Sequence, residues 1–166
     1  MYKTISDFIR DWKSESESTI KVLANLSDDS LKYMSHQGGR TIGFLAWHIV
    51  ITVGEMMNKS GLEVECPEEN SPEPVSAKEI ENTYKNVSAS MVKEIELKWT
   101  DATLDEELDL YGETWKIGYL LRSLVYHQIH HRGQLTILMR QAKLPVPGVY
   151  GPSREEWSQM GMEPMK

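Results

Sequence analysis

The feature that most constrains the fold is the spacing of apolar residues, which recur at intervals of three and four in four long stretches. That spacing lines one side of a helix, whereas a strand would need strict alternation. The first stretch runs from about Thr4 to Leu26 and carries Ile5, Phe8, Ile9, Trp12, Ile20, Val22, Leu23 and Leu26. Its middle, Ser14 to Thr19, is weakly apolar and leaves the core stripe thin. Ser27-Asp28-Asp29-Ser30 starts a short helical turn that Gly38-Gly39 breaks. A second helix spans about 41–60 and stops at Gly61. Beyond an exposed connection through Pro67, Pro72 and Pro74, Ser76 and Glu79 form a capping box that opens a third helix over about 76–99. Residues 100–116 are less regular, and the partial alternation of Leu108 to Trp115 predicts an extended loop or a short hairpin around Gly112. Helix resumes over about 116–143 and is ended by Pro145 and Pro147. A last capping box, Ser153-Arg154-Glu155-Glu156, starts a short C-terminal helix. The expected fold is all-α: an antiparallel four-helix bundle with a short C-terminal helix, in one domain over residues 1–166.

Composition narrows the function. With 166 residues, 40% of them hydrophobic, the chain can bury a core without disulfides or a structural metal, so any metal site is expected to be functional. The net charge of -7 and the lack of a Lys/Arg cluster argue against nucleic-acid binding. The one cysteine, Cys66, cannot form an internal disulfide, and its acidic neighbours Glu63, Glu65, Glu68 and Glu69 disfavour a thiolate. Residues Met1 to Asp7 lack the basic start and apolar run of a signal peptide. The longest apolar run, Ile42 to Met57, contains His48 and Glu55 and is shorter than the roughly 20 residues of a membrane span. A soluble, cytoplasmic protein with no membrane partner is expected.

The chemistry gathers at histidine. Three of the five fall at His127, His130 and His131. On a helix the i, i+4 pair His127 and His131 shares the face of Leu120, Leu124 and Leu138, while His130 lies at its edge. The pair is either two hydrogen-bonded core histidines or two ligands of one metal ion. The metal reading leads, because two inward imidazoles one turn apart each need a buried partner. His48, alone in the apolar stretch Phe44 to Ile51, is the obvious third ligand if the second and fourth helices pack together. Three histidines leave a position open for water, as catalytic zinc sites do. His36 precedes Gln37-Gly38-Gly39 and reads as a loop residue. Neutral imidazole is the ligand, so occupancy is expected to fall below about pH 6.5.

Neighbouring motif classes are excluded. Gln128 stands where a zincin helix has its general-base glutamate. No Glu-x-x-His occurs, as a di-iron bundle requires, and no P-loop, dinucleotide fingerprint, nucleophile elbow or Cys-x-x-Cys is present.

The stretch Tyr126 to Leu135 with its His-x-x-x-His-Arg-Gly-Gln core, then Arg140 and Pro147-Gly148-Val149-Tyr150-Gly151-Pro152, resembles the DinB/YfiT-like superfamily. Thr41 to His48 resembles the same family's first histidine segment. The resemblance covers the whole chain and implies a four-helix bundle that binds a divalent metal, zinc or nickel, through His48, His127 and His131. It also implies reaction with a low-molecular-weight thiol, as in the family's S-transferases, or metal-dependent hydrolysis. A homodimer is expected from the resemblance and from the number of large apolar residues to be covered.

The leading expectation is therefore an enzyme whose three-histidine metal site activates a thiol or water against a small electrophilic substrate. Hydrolysis of a small ester or amide is the alternative chemistry, and a non-catalytic metal-binding stress-response protein the alternative class. Glu55 is either a proton acceptor in the site or a solvated residue near a helix end. Arg132 and Gln134 are substrate contacts or, for Arg132, a surface salt bridge. Gly133 either admits a neighbouring helix or is a tolerated defect. Trp47, Trp115 and Tyr150 line a pocket or belong to the core.

Overall fold

In the structure, a computed structural model describing residues 2–164, the chain is mostly helical with one small two-stranded ribbon. The helices are α1 (Ile5–Leu23), α2 (Ile42–Asn58), α3 (Ala77–Lys98), α4 (Ile117–Gln141) and the single turn α5 (Arg154–Trp157). Their starts fall where capping chemistry puts them. Thr4 Oγ1 accepts from Asp7 N–H at 3.0 Å, Thr41 Oγ1 from Phe44 N–H at 2.9 Å and Ser76 Oγ from Glu79 N–H at 3.4 Å. Before α5 it is Glu156 that reaches back, accepting from Ser153 N–H and Gly148 N–H.

The irregular stretch between α3 and α4 resolves into a hairpin, the one departure from the all-α expectation. Strands β1 (Glu107–Leu110) and β2 (Glu113–Lys116) pair antiparallel, with Leu110 opposite Glu113 and Leu108 opposite Trp115. Tyr111 and Gly112 join them with φ of 53° and 82°. Two consecutive left-handed residues are the signature of a tight type I′ connection, which matches the twist of the strands it joins.

Helix α2 packs on α3 and α4, and α1 packs on the same two. Phe8 and Trp12 of α1, Ile42, Ile49 and Met57 of α2, Ile80, Tyr84, Met91 and Ile95 of α3, and Leu120 and Leu121 of α4 are fully buried between them. Polar ties fix the packing. Gln128, completely buried, accepts from Tyr84 O–H at 3.1 Å and donates through Nε2 to the Ile49 carbonyl at 3.0 Å, joining α3, α4 and α2.

The thin middle of α1 has a physical reason. Glu15, Ser16, Ser18 and Thr19 are buried there because Arg132 of α4, only 2% exposed, occupies the space that apolar side chains would fill. Its guanidinium donates to Glu15 Oε2 at 2.6 Å, to the Glu15 carbonyl at 2.9 Å and to Thr19 Oγ1 at 3.1 Å. Tyr150 caps the pair, accepting from Arg132 at 2.6 Å and donating to the Glu15 carboxylate. Arg132 is thus a buried structural cation, neither a substrate contact nor a surface residue. Among the described residues, no helix is long and apolar enough to cross a membrane.

Candidate metal centre

Packing of α2 against α4 brings His48 beside the pair on α4. Ring centroids of His48 lie 5.0 Å from His127 and 4.6 Å from His131, and those of His127 and His131 lie 4.3 Å apart. One ring nitrogen from each converges so that all three lie within 4.8 Å of one another. His130, exposed on the next position of the helix, points aside, and His36 sits in an exposed loop against Ser35.

The nitrogens at the cluster's far side show which atoms are free to bind. His131 Nδ1 lies 2.8 Å from Gln134 Oε1, an atom that can only accept, so the ring carries its proton on Nδ1 and leaves Nε2 a lone pair. Gln134 Nε2 in turn donates to His130 Nε2 at 3.1 Å. His127 Nδ1 faces Thr52 Oγ1 at 3.4 Å, and that hydroxyl's own proton is committed to the His48 carbonyl at 2.8 Å. The Nε2 atoms of His127 and His131 therefore face each other as acceptors, 3.1 Å apart. Bonds of about 2.0–2.1 Å in a tetrahedral zinc site separate neighbouring nitrogens by about 3.3 Å, so the donor set fits a divalent cation.

Electrostatics agrees. Burial, reinforced by the neighbouring His131, pushes the imidazoles of His48 and His127 down to about 4. Burial also lowers His131, against the opposing effect of the hydrogen bond it donates to Gln134. Three neutral rings are what a cation requires of its ligands.

The cluster opens into a cleft of about 560 Å³, with Phe44, Ile51, Met56 and Trp115 as apolar walls and Glu55 further along α2. Phe44 stacks on His48 at 5.9 Å. Glu55 is no free base. It accepts from the Tyr111 hydroxyl at 2.7 Å and is ion-paired with Lys59. Tyr111, at the hairpin tip, has its phenol pushed up by burial and by that bond.

Several sequence expectations resolve here. Gln134 orients a histidine, while Trp115 lines the cleft as anticipated. Trp47 is buried outside it, donating to the Ser71 carbonyl at 3.1 Å, and Tyr150 belongs to the Arg132 pair. A Cβ at Gly133 would meet nothing within 4 Å, so no helix approaches there and the glycine is a tolerated defect. Cys66 packs against Gly54 on the adjoining surface, and burial raises its pKa. Sequence reasoning missed Thr52, Phe44 and the role of Gln128. Thr52 and Phe44 stand one turn either side of His48, so the i, i+4 rule that found the histidine pair could have found them.

A mostly helical chain with three convergent histidines at the foot of a cleft is the class that fold and site define. A profile of the DinB family matches residues 1–164, and the chain belongs to that family. It is 41% identical to the uncharacterized protein YrdA of Bacillus subtilis (strain 168), over 100% of this chain and 99% of that one. A crystal structure of a DinB-like protein from Bacillus cereus is 42% identical and superposes with a TM-score of 0.87, covering 90% of this chain and 100% of that one. A DinB-like protein from Bacillus subtilis, YjoA, shares the fold at 21% identity and a TM-score of 0.69, over 86% of this chain and 96% of that one.

Proposed function

We propose that this protein is a metal-dependent enzyme in which His48, His127 and His131 hold a divalent cation, zinc or nickel, and a low-molecular-weight thiol attacks a small electrophile. The observation that supports it best is the convergence of three imidazole nitrogens within 4.8 Å at the foot of an apolar-walled cleft. A cation held there would lower the pKa of a bound thiol or water enough to give a nucleophile at neutral pH. Gln134 holds the His131 ring in the orientation and tautomer that presents Nε2. Phe44 and Trp115 exclude water from one side and offer flat surfaces to a substrate.

Thiol transfer ranks above hydrolysis because of Glu55. The one carboxylate of α2 that lines the cleft is engaged by Tyr111 and Lys59, and the lining's other acid, Glu69, stands on the exposed loop after α2, so among the described residues no carboxylate is hydrogen-bonded to the histidines as a general base would be. A thiol, far more acidic than water, needs none. The pairing of α1 and α2 each with α3 and α4 is that of a four-helix bundle, which we read as antiparallel. A cytoplasmic setting, where small thiols stay reduced, suits the reading, and so does a homodimer, to be checked by sedimentation equilibrium.

Metal analysis of the untagged protein, followed by electrophile conjugation with several low-molecular-weight thiols, tests the proposal. About one zinc or nickel per chain and thiol-dependent product are expected. Failure to retain either metal removes the site, and ester cleavage without thiol turns the reading to hydrolysis.

A further inference from the structure

Resting on that reading of the site, we propose that Arg40 recognises a carboxylate on the small molecule that enters the cleft, so that the substrate class is an acidic thiol or an acidic electrophile. Phe44, His48 and Thr52 are four residues apart and form one row along α2 into the histidine cluster, and Arg40 stands just before the Thr41 cap, four residues ahead of Phe44. The Arg40 guanidinium lies 4.9 Å from the centre of the Phe44 ring, and Phe44 is stacked on His48. The cation is held against an aromatic ring that is itself a cleft wall.

Two further observations make it an anchor for a ligand. The guanidinium is exposed, and among the described residues it has neither a carboxylate within 4.0 Å nor a hydrogen bond, although the chain carries 25 acidic residues. Of the cleft's two acids, Glu55 is in contrast neutralised in place by Lys59 and Tyr111, and Glu69 stands on the loop after α2, leaving Arg40 as the unpaired cation beside Phe44. A planar guanidinium matches a carboxylate in two parallel hydrogen bonds, which a neutral ligand cannot supply.

The test compares mercaptosuccinate with its dimethyl ester, which keeps the thiol and loses both charges, by calorimetric titration of zinc-loaded protein whose zinc content is measured first. The acid is expected to bind at least about tenfold tighter than the ester, the size of a charge-assisted hydrogen bond in a partly exposed site. Arg40→Gln should bring the two within about twofold, and Arg40→Lys should keep part of the preference, since it retains the charge and loses the fork. Equal binding by the wild type, or a preference that survives Arg40→Gln (as direct carboxylate ligation of zinc would give), overturns the role of Arg40 and leaves the metal site standing. Binding of neither compound to protein with full zinc overturns the acidic substrate together with the thiol. Protein that takes up neither zinc nor nickel removes the function itself, and the inference with it.

Discussion

Gln134 offers the sharpest test of how the site is built, because it touches a ligand and has no place among the ligands. Its Oε1 lies 2.8 Å from Nδ1 of the buried His131, and Gln134 itself is half-buried. Replacing it by leucine leaves His131 free to swing and to carry its proton on either nitrogen. Outer-sphere partners of metal-bound histidine are worth about 10–100-fold in affinity, or about 1.4–2.7 kcal/mol. The 2.8 Å contact to a buried ring places Gln134→Leu well inside that range, while Gln134→Glu, a stronger acceptor, should bind at least as tightly as the wild type. Zinc affinity is read by competition with a chromophoric chelator, with far-UV circular dichroism and a melting curve to verify the fold. His130→Ala is the control, because His130 only accepts from the far end of the same amide. If Gln134→Leu binds zinc within twofold of the wild type, or if His130→Ala costs as much, the orienting role is refuted.

Three other outcomes follow from the same geometry. His131→Ala should abolish tight metal binding and His130→Ala should leave most of it, as metal analysis after gel filtration will show; the reverse pattern would mean that the helix phase is wrong. On acidification the metal should stay bound well below pH 6.5, since burial holds His48 and His127 at about 4 and protons compete only as the pH approaches that value. For the metal-free protein the sign is the same: the unfolded chain takes up these protons first, so stability present above about pH 6.5 drains away towards pH 4, and a urea midpoint flat across that window contradicts it. Arg132→Met should destabilise by about 3–5 kcal/mol because it strands a buried carboxylate, whereas adding Glu15→Leu should recover most of the loss; a single-variant cost under about 1 kcal/mol in urea unfolding would count against the buried pair.

What was legible in the sequence is what local spacing determines. The four long helices lie where the apolar period put them, and three begin at the Thr4, Thr41 and Ser76 caps. Their C-terminal ends fall one to three residues early. The hairpin stayed ambiguous for a chemical reason. Its turn is Tyr-Gly in place of Asn-Gly or Asp-Gly, and tyrosine at φ 53° carries no signal that a reader of turns would recognise. The middle of α1 was read as a weakness because its partner, Arg132, stands 117 residues away in the chain. No period within one helix encodes that contact.

The candidate site divides along the same line. His127 and His131 declared themselves through an i, i+4 spacing, and His48 through being the one imidazole in an apolar run. The environment that gives them their character is tertiary. Glu55 looked like a free carboxylate until the hairpin, 56 residues on, laid Tyr111 across it. The depressed imidazole pKa values arise because α2 and α4 bury three rings against one another, which no single helix could do. Glu55 still favours a proton on His48, but burial and the neighbouring His131 and Arg40 outweigh it. The Nε2 atoms of His127 and His131, each with its opposite nitrogen facing a side-chain oxygen, are left at neutral pH with lone pairs 3.1 Å apart. Two acceptors so close repel each other unless a cation lies between them, and with protonation displaced to about pH 4 a metal ion is the cation that suits the arrangement.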